Sequence, residues 1–63
     1  MDQIARPTAG ERIVHATLTL IAERGLAGIT MSAIADRAGV ARQTLYNHYS
    51  DVETIVSAAV EQH

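Results

Sequence analysis

Between residues 37 and 50 the chain carries Arg37, Arg42, Gln43, Thr44, Tyr46, Asn47 and His48, and no carboxylate. Side chains of these types offer hydrogen bonds without negative charge, which is the chemistry of contact with phosphates and with base edges. Arginine pairs bidentately with guanine, and glutamine or asparagine with adenine. All five cations of the chain are arginine, which suits forked contacts to phosphate or guanine, although genome composition produces the same bias. The acids Glu11 and Glu23 lie upstream of the segment, and Asp51, Glu53 and Glu61 lie downstream. A net charge of -2 argues against a polyanion binder as a bulk number. Its distribution nevertheless leaves one locally basic segment inside an acidic chain.

The elements that must position these side chains are helices. Sixty-three residues make one small domain, with a core worth only about 3–5 kcal/mol and no room for an enclosed active site. The chain has 48% hydrophobic and 19% charged residues, the balance of a globular protein rather than a disordered one. Tyr46 and Tyr49 are its only aromatics, so the core must be aliphatic. There is no cysteine, hence no disulfide framework, thiolate zinc site or thiol nucleophile. No apolar run approaches a membrane span and the N-terminus lacks a signal-peptide pattern, so a cytoplasmic location is expected.

Residues 1–7 read as a flexible arm ending at Pro7. Thr8 and Glu11 fit a capping box that opens a first helix, and Gly25 stops it at a position suited to a left-handed turn. The apolar residues of that helix, Ile13, Val14, Ala16, Thr17, Leu18, Leu20 and Ile21, cover roughly 200° of arc, twice the width of one core-facing stripe. Either two partners sandwich this helix or part of its partner surface lies elsewhere. Thr30 caps a second helix in which Met31, Ile34, Ala35 and Ala38 recur at helical spacing. Gly39 ends it, Val40 plugs the turn, and a third helix follows from about residue 41 to residue 48. Residues 50–53 read as a second capping box opening a fourth helix, striped by Val52, Ile55, Val56, Ala59 and Val60. The expected fold is all-α, with a helix-turn-helix over residues 31–49. Ala35 allows the two helices to cross closely, and Ile34, Ala38, Val40 and Leu45 fill the wedge. The outer face of the third helix is left with Arg42, Gln43, Thr44, Tyr46, Asn47 and His48, a face that fits a major groove.

The run RIVHATLTLIAERGLAGITMSAIADRAGVARQTLYNHYSDVETIV, residues 12–56, resembles the N-terminal DNA-binding domain of the tetracycline-repressor (TetR) family. The matching marks are Gly25, Thr30, Ile34-Ala35, Ala38-Gly39-Val40, Thr44-Leu45-Tyr46 and His48. The resemblance implies a ligand-released transcriptional repressor that binds a palindromic operator as a homodimer. It also implies a larger C-terminal domain that binds the inducer and forms the dimer. The 63 residues lack such a domain, and the fourth helix is still amphipathic at His63. The expectation is therefore a homeodomain-like bundle over residues 8–63, truncated in or just after that helix. Carried over by position, the resemblance places Thr30 and Ser32 at the DNA backbone or a base. Arg42 and Gln43 become the base readers, with Thr44 beside them. Tyr46 and His48 fall at phosphates, and Asn47 falls on the groove side. Three departures weaken backbone anchoring: Ala41 replaces a capping serine, Val52 a phosphate-contacting lysine, and Gly10 a frequent arginine for which Arg12 offers a substitute.

Plainer readings stand beside these. Tyr49 suits the core, Met31 packing, and His15 solvent. Tyr46 can be a core aromatic with its hydroxyl at the rim, and Arg37 can simply pair with Asp36 or Glu53. Arg6 suits either a minor groove or no role. No metal site or cofactor is expected, because neither His48 nor any other histidine has partners at ligand spacing. No nucleophile-base pair or phosphate loop supports an enzyme. The competing function is a protein-interaction bundle that docks partner helices on its first and fourth helices.

Overall fold

The computed structural model describes residues 7–62, in the order α1 (Ala9–Arg24), a 3-10 turn (Leu26–Gly28), α2 (Met31–Ala38), α3 (Arg42–His48) and α4 (Val52–Gln62). Among the described residues all regular structure is helical. The fold is the expected small all-α bundle with a helix-turn-helix. None of its helices is long and apolar enough to cross a membrane. The sequence-expected arm, Arg6 included, lies outside the described residues apart from the exposed Pro7.

Helix α1 begins where the sequence places it. The Glu11 amide donates to Thr8 Oγ1 at 3.1 Å and the Thr8 amide donates to Glu11 Oε1 at 2.9 Å, so each residue satisfies a backbone donor that the first turn leaves free. The helix ends at Gly25, whose amide returns to the Ile21 carbonyl at 2.9 Å. The expected left-handed turn is not formed there. Gly25 has φ 75° and ψ 171°, an extended positive-φ conformation that only glycine adopts readily. It sends the chain straight into the 3-10 turn.

Most of the wide apolar arc of α1 finds its partners within the chain, with Leu18 and Ile21 left half-buried. Ile13, Val14, Ala16, Thr17 and Leu20 are buried because α2, α3 and α4 all pack on this one helix. Thr17 is fully buried, and its hydroxyl donates to the Ile13 carbonyl at 2.8 Å, which removes the cost of an unpaired polar group. Ile13, Leu20, Ile34, Leu45 and Ile55 form the centre of an aliphatic core, with Met31, Val40, Tyr49 and Val52 packed around it. Tyr49 and Met31 are thus packing residues, and His15 is exposed.

Helix α4 departs from expectation at both ends. Its cap is Asp51 rather than Ser50: Asp51 Oδ1 accepts from the Thr54 amide and the Thr54 hydroxyl, each at 2.8 Å. Aspartate is as good a cap as serine, and the shift by one residue brings a threonine rather than Glu53 to the third helical position. Farther on, Ile55 and Ala59 are fully buried while Val60 is 62% exposed, so the apolar stripe is narrower than the sequence pattern. With most of the α1 arc covered, the apolar surface left on helices one and four is Val60 with the half-buried Leu18, Ile21 and Val56, beside Leu26 of the 3-10 turn, also 62% exposed.

Two surface carboxylates set an acid dependence. Hydrogen bonds from Arg37, reinforced by its charge and that of Arg24, hold Glu23 below the ordinary glutamate range. The Thr54 amide and hydroxyl lower Asp51 in the same way. Groups with depressed folded values stabilise the fold above their unfolded values and lose that contribution as pH falls through the folded ones. The melting temperature is therefore expected to hold from neutrality down to the ordinary carboxylate range and to drop below it. Circular dichroism melts of Glu23→Gln/Asp51→Asn should show a shallower acid limb. An acid limb identical to that of the wild type would remove these two groups from the account.

Candidate nucleic-acid interface

The turn between α2 and α3 fixes how α3 is presented. Gly39 takes φ 72° and ψ 32°, the left-handed conformation. Its amide donates to the Asp36 carbonyl at 3.2 Å while the Val40 amide reaches back to Ala35 at 3.0 Å. This paired closure ties off the last carbonyls of α2 and turns the chain over the buried Ala35 and Ala38. At the other end of α2, the Thr30 hydroxyl accepts from the Ala33 amide at 3.0 Å. That leaves its hydroxyl hydrogen available to an outside acceptor, with the exposed Ser32 close by in sequence. Helix α3 starts from Ala41, which provides no side-chain cap.

A support that the sequence pattern does not reveal braces the turn before it. Arg12, one turn into α1, donates from Nη2 to the Gly39 carbonyl at 3.1 Å. The contact spans 27 positions, so no local periodicity could expose it. It commits the Arg12 guanidinium to holding the turn, whereas the sequence suggests backbone anchoring. The left-handed backbone favours glycine here, and a Cβ on Gly39, 2.8 Å from that same nitrogen, would also push the arginine off the carbonyl. Gly39→Ala is expected to cost about 1–2 kcal/mol from the backbone alone. Urea melts should show this, with a smaller loss in an Arg12→Ala background where nothing stands in the way of the Cβ. An equal loss in both backgrounds would mean that the arginine contributes nothing at the turn.

Helix α3 buries Leu45 and half-buries Thr44. Arg42, Gln43, Tyr46 and Asn47 are exposed, and helical geometry sets them on one arc of about 140°. Tyr46 is 45% exposed, which removes the reading of it as a core aromatic. Gln43 Nε2 donates to Asn47 Oδ1 at 3.1 Å. His48 is exposed but stands off this arc, at the end of α3 beside the first turn of α1, where a Cβ on Gly10 would lie 3.8 Å from its Nδ1. Its ring centroid is 6.3 Å from that of Tyr49. The structure thus brings four of the sequence-predicted residues together on the outer face of α3. Thr44 and His48 fall on its flanks, and Thr30 and Ser32 lie at the start of α2.

The electrostatics around the face follow from what the acids do. Arg37 pairs with neither Asp36 nor Glu53. It forks onto Glu23 of α1, with Nη1 to Oε2 at 3.0 Å and Nη2 to Oε1 at 2.6 Å. The pair joins the last turn of α2 to α1 and keeps both groups ionised, each well exposed. Asp51 is occupied by Thr54, and α3 itself carries no acid. An open trough of ≈ 710 Å³ lies on the α1–α2 side, lined by residues including Glu11, Arg12, His15, Ala16 and Arg37, and it includes none of α3. Among the described residues no group of three or more His, Asp or Glu side chains could hold a metal ion.

A short all-α bundle with an α2–turn–α3 unit of this geometry defines a helix-turn-helix domain. The family of bacterial regulatory proteins of the tetR type matches residues 13–61, and the chain belongs to that family. Three curated relatives are each described as an uncharacterized HTH-type transcriptional regulator. Two come from strains of Mycobacterium tuberculosis and one from Mycobacterium bovis. Each is 33% identical over 58 residues, covering 92% of this chain and 31% of the relative. The chain therefore spans about a third of the length of the relatives it matches. No solved structure matches it.

Proposed function

We propose that α3 enters the major groove of an operator and reads base edges through Arg42 and Gln43. In this reading Thr30, Ser32, Tyr46 and His48 contact phosphates, and Thr44 and Asn47 line the groove. The observation that carries it is the acid-free face of α3, on which four exposed hydrogen-bonding side chains share one arc. The chain acts as the reading head of a cytoplasmic, ligand-released repressor, with a palindromic operator matched by a homodimer. The inducer and the dimer contacts belong to a further C-terminal domain, and the head itself is not an enzyme. Family membership supports this assignment. A two-fold operator requires two α3 helices about one DNA turn apart, so a single head is expected to bind weakly.

Salt dependence tests the phosphate part of the reading. Each phosphate neutralised by a cationic side chain releases condensed counterions, so log affinity should fall against log salt with a slope of about -0.9 per such contact. Fluorescence anisotropy with a mixed-sequence duplex is expected to show affinity falling with salt, whereas Tyr46→Phe should weaken binding without changing the slope, since a neutral hydroxyl displaces no counterion. A slope near zero, with association that depends only on protein concentration, would favour the interaction-bundle reading.

A further inference from the structure

The hydrogen bond between Gln43 and Asn47 has a direct consequence for which base α3 selects. A free glutamine amide offers one acceptor and two donor hydrogens. It can meet adenine with the acceptor on the N6 amino group and one donor on N7. It can also meet guanine with donors on N7 and O6. On α3 that choice is restricted. Gln43 Nε2 gives one hydrogen to Asn47 Oδ1 at 3.1 Å, and the two residues stand one turn apart on the exposed arc. What remains on Gln43 is one acceptor, Oε1, and one Nε2 hydrogen. That pair matches adenine and is one donor short for guanine.

We infer that Asn47 is a positioning residue which, by occupying one Nε2 hydrogen of Gln43, makes α3 select adenine over guanine at the base Gln43 reads. The inference rests on the proposed reading of DNA by α3 and specifies the chemistry of one of its positions. In the structure the Gln43 amide sits with Nε2 toward Asn47 and Oε1 free. Reversed, with Oε1 accepting from Asn47 Nδ2, the glutamine would present two donors and guanine would be the better partner. Asn47 keeps its own amide hydrogens for a neighbouring acceptor, so it can serve the Gln43 contact and a groove contact together.

The test uses the chain densely coated on beads, so that neighbouring heads compensate for weak single-site binding. A half-site is first selected from random duplexes, and the position made indifferent by Gln43→Ala is identified. Synthetic duplexes carrying adenine or guanine there are then competed. A bidentate match is worth on the order of 10- to 100-fold against the wrong base, so the wild type should prefer adenine by at least about tenfold. Asn47→Ala frees the second hydrogen and should bring the ratio close to one. Asn47→Asp keeps an acceptor for Gln43 and should preserve the ratio even though its charge weakens overall binding. Partial unfolding lowers affinity for both duplexes equally, so a merely structural role for Asn47 leaves the ratio unmoved. A wild-type preference for guanine, or an unchanged ratio in Asn47→Ala, would overturn the inference alone. A folded wild-type chain that selects no motif, even when two chains are joined as a forced dimer, would overturn it together with the DNA reading beneath it.

Discussion

Leu45→Ala is expected to leave the chain largely unfolded at 25 °C. Leu45 is fully buried and is the one buried residue of α3, the anchor by which that helix meets the core. Cutting a buried leucine to alanine costs about 2–5 kcal/mol, and a domain of this size has only about 3–5 kcal/mol in total. Circular dichroism should show most of the helical signal lost without denaturant. Leu45→Met keeps the volume and should retain a cooperative melt, with a loss below about 1.5 kcal/mol. A Leu45→Ala chain that melts within a few degrees of the wild type would mean that α3 is held by something other than this contact.

Arg42→Ala should do the opposite, sparing the fold and removing recognition. Arg42 is exposed at the first position of α3, and alanine is at least as good a helix former as arginine. The melt should therefore be unchanged. A bidentate arginine–guanine pair is worth about 1–3 kcal/mol of discrimination, so each head should lose roughly 5- to 150-fold for its preferred half-site. In a forced dimer that engages two half-sites the loss per head should compound. Arg42→Lys should not restore the preference, because an ammonium has no planar fork to match two acceptors. Competition between the preferred duplex and one altered at that guanine measures this directly. Retention of the full preference by Arg42→Ala, with both duplexes weakened alike, would mean that Arg42 contacts phosphate rather than a base.

What the sequence made legible was local. Thr8 with Glu11, Thr30, Gly39 and the bare Ala41 all behave as their types dictate, because caps and left-handed turns are decided within four or five residues. The outward set of Arg42, Gln43, Tyr46 and Asn47 was legible for the same reason: helical spacing alone separates it from Leu45. Misplacements arose where two local solutions compete or where contacts are long-range. Ser50 and Asp51 are both good caps, and only the register of the backbone selects Asp51. The sequence sets Arg37 beside Asp36 or Glu53, and packing of α2 on α1 chooses Glu23 instead. Arg12 on the Gly39 carbonyl depends on the same packing. Thr44 and His48 belong to the sequence-predicted face, yet α3 turns them to its flanks, since a seven-residue helix seated by Leu45 leaves only one outward arc.

Selection from a random duplex library, with wild-type chain densely coated on the beads, tests most directly the claim that α3 reads sequence. The expected result is a common half-site motif containing a guanine lost with Arg42→Ala and an adenine lost with Gln43→Ala. An unenriched pool from a folded wild-type chain, persisting when two chains are joined as a forced dimer, would contradict it.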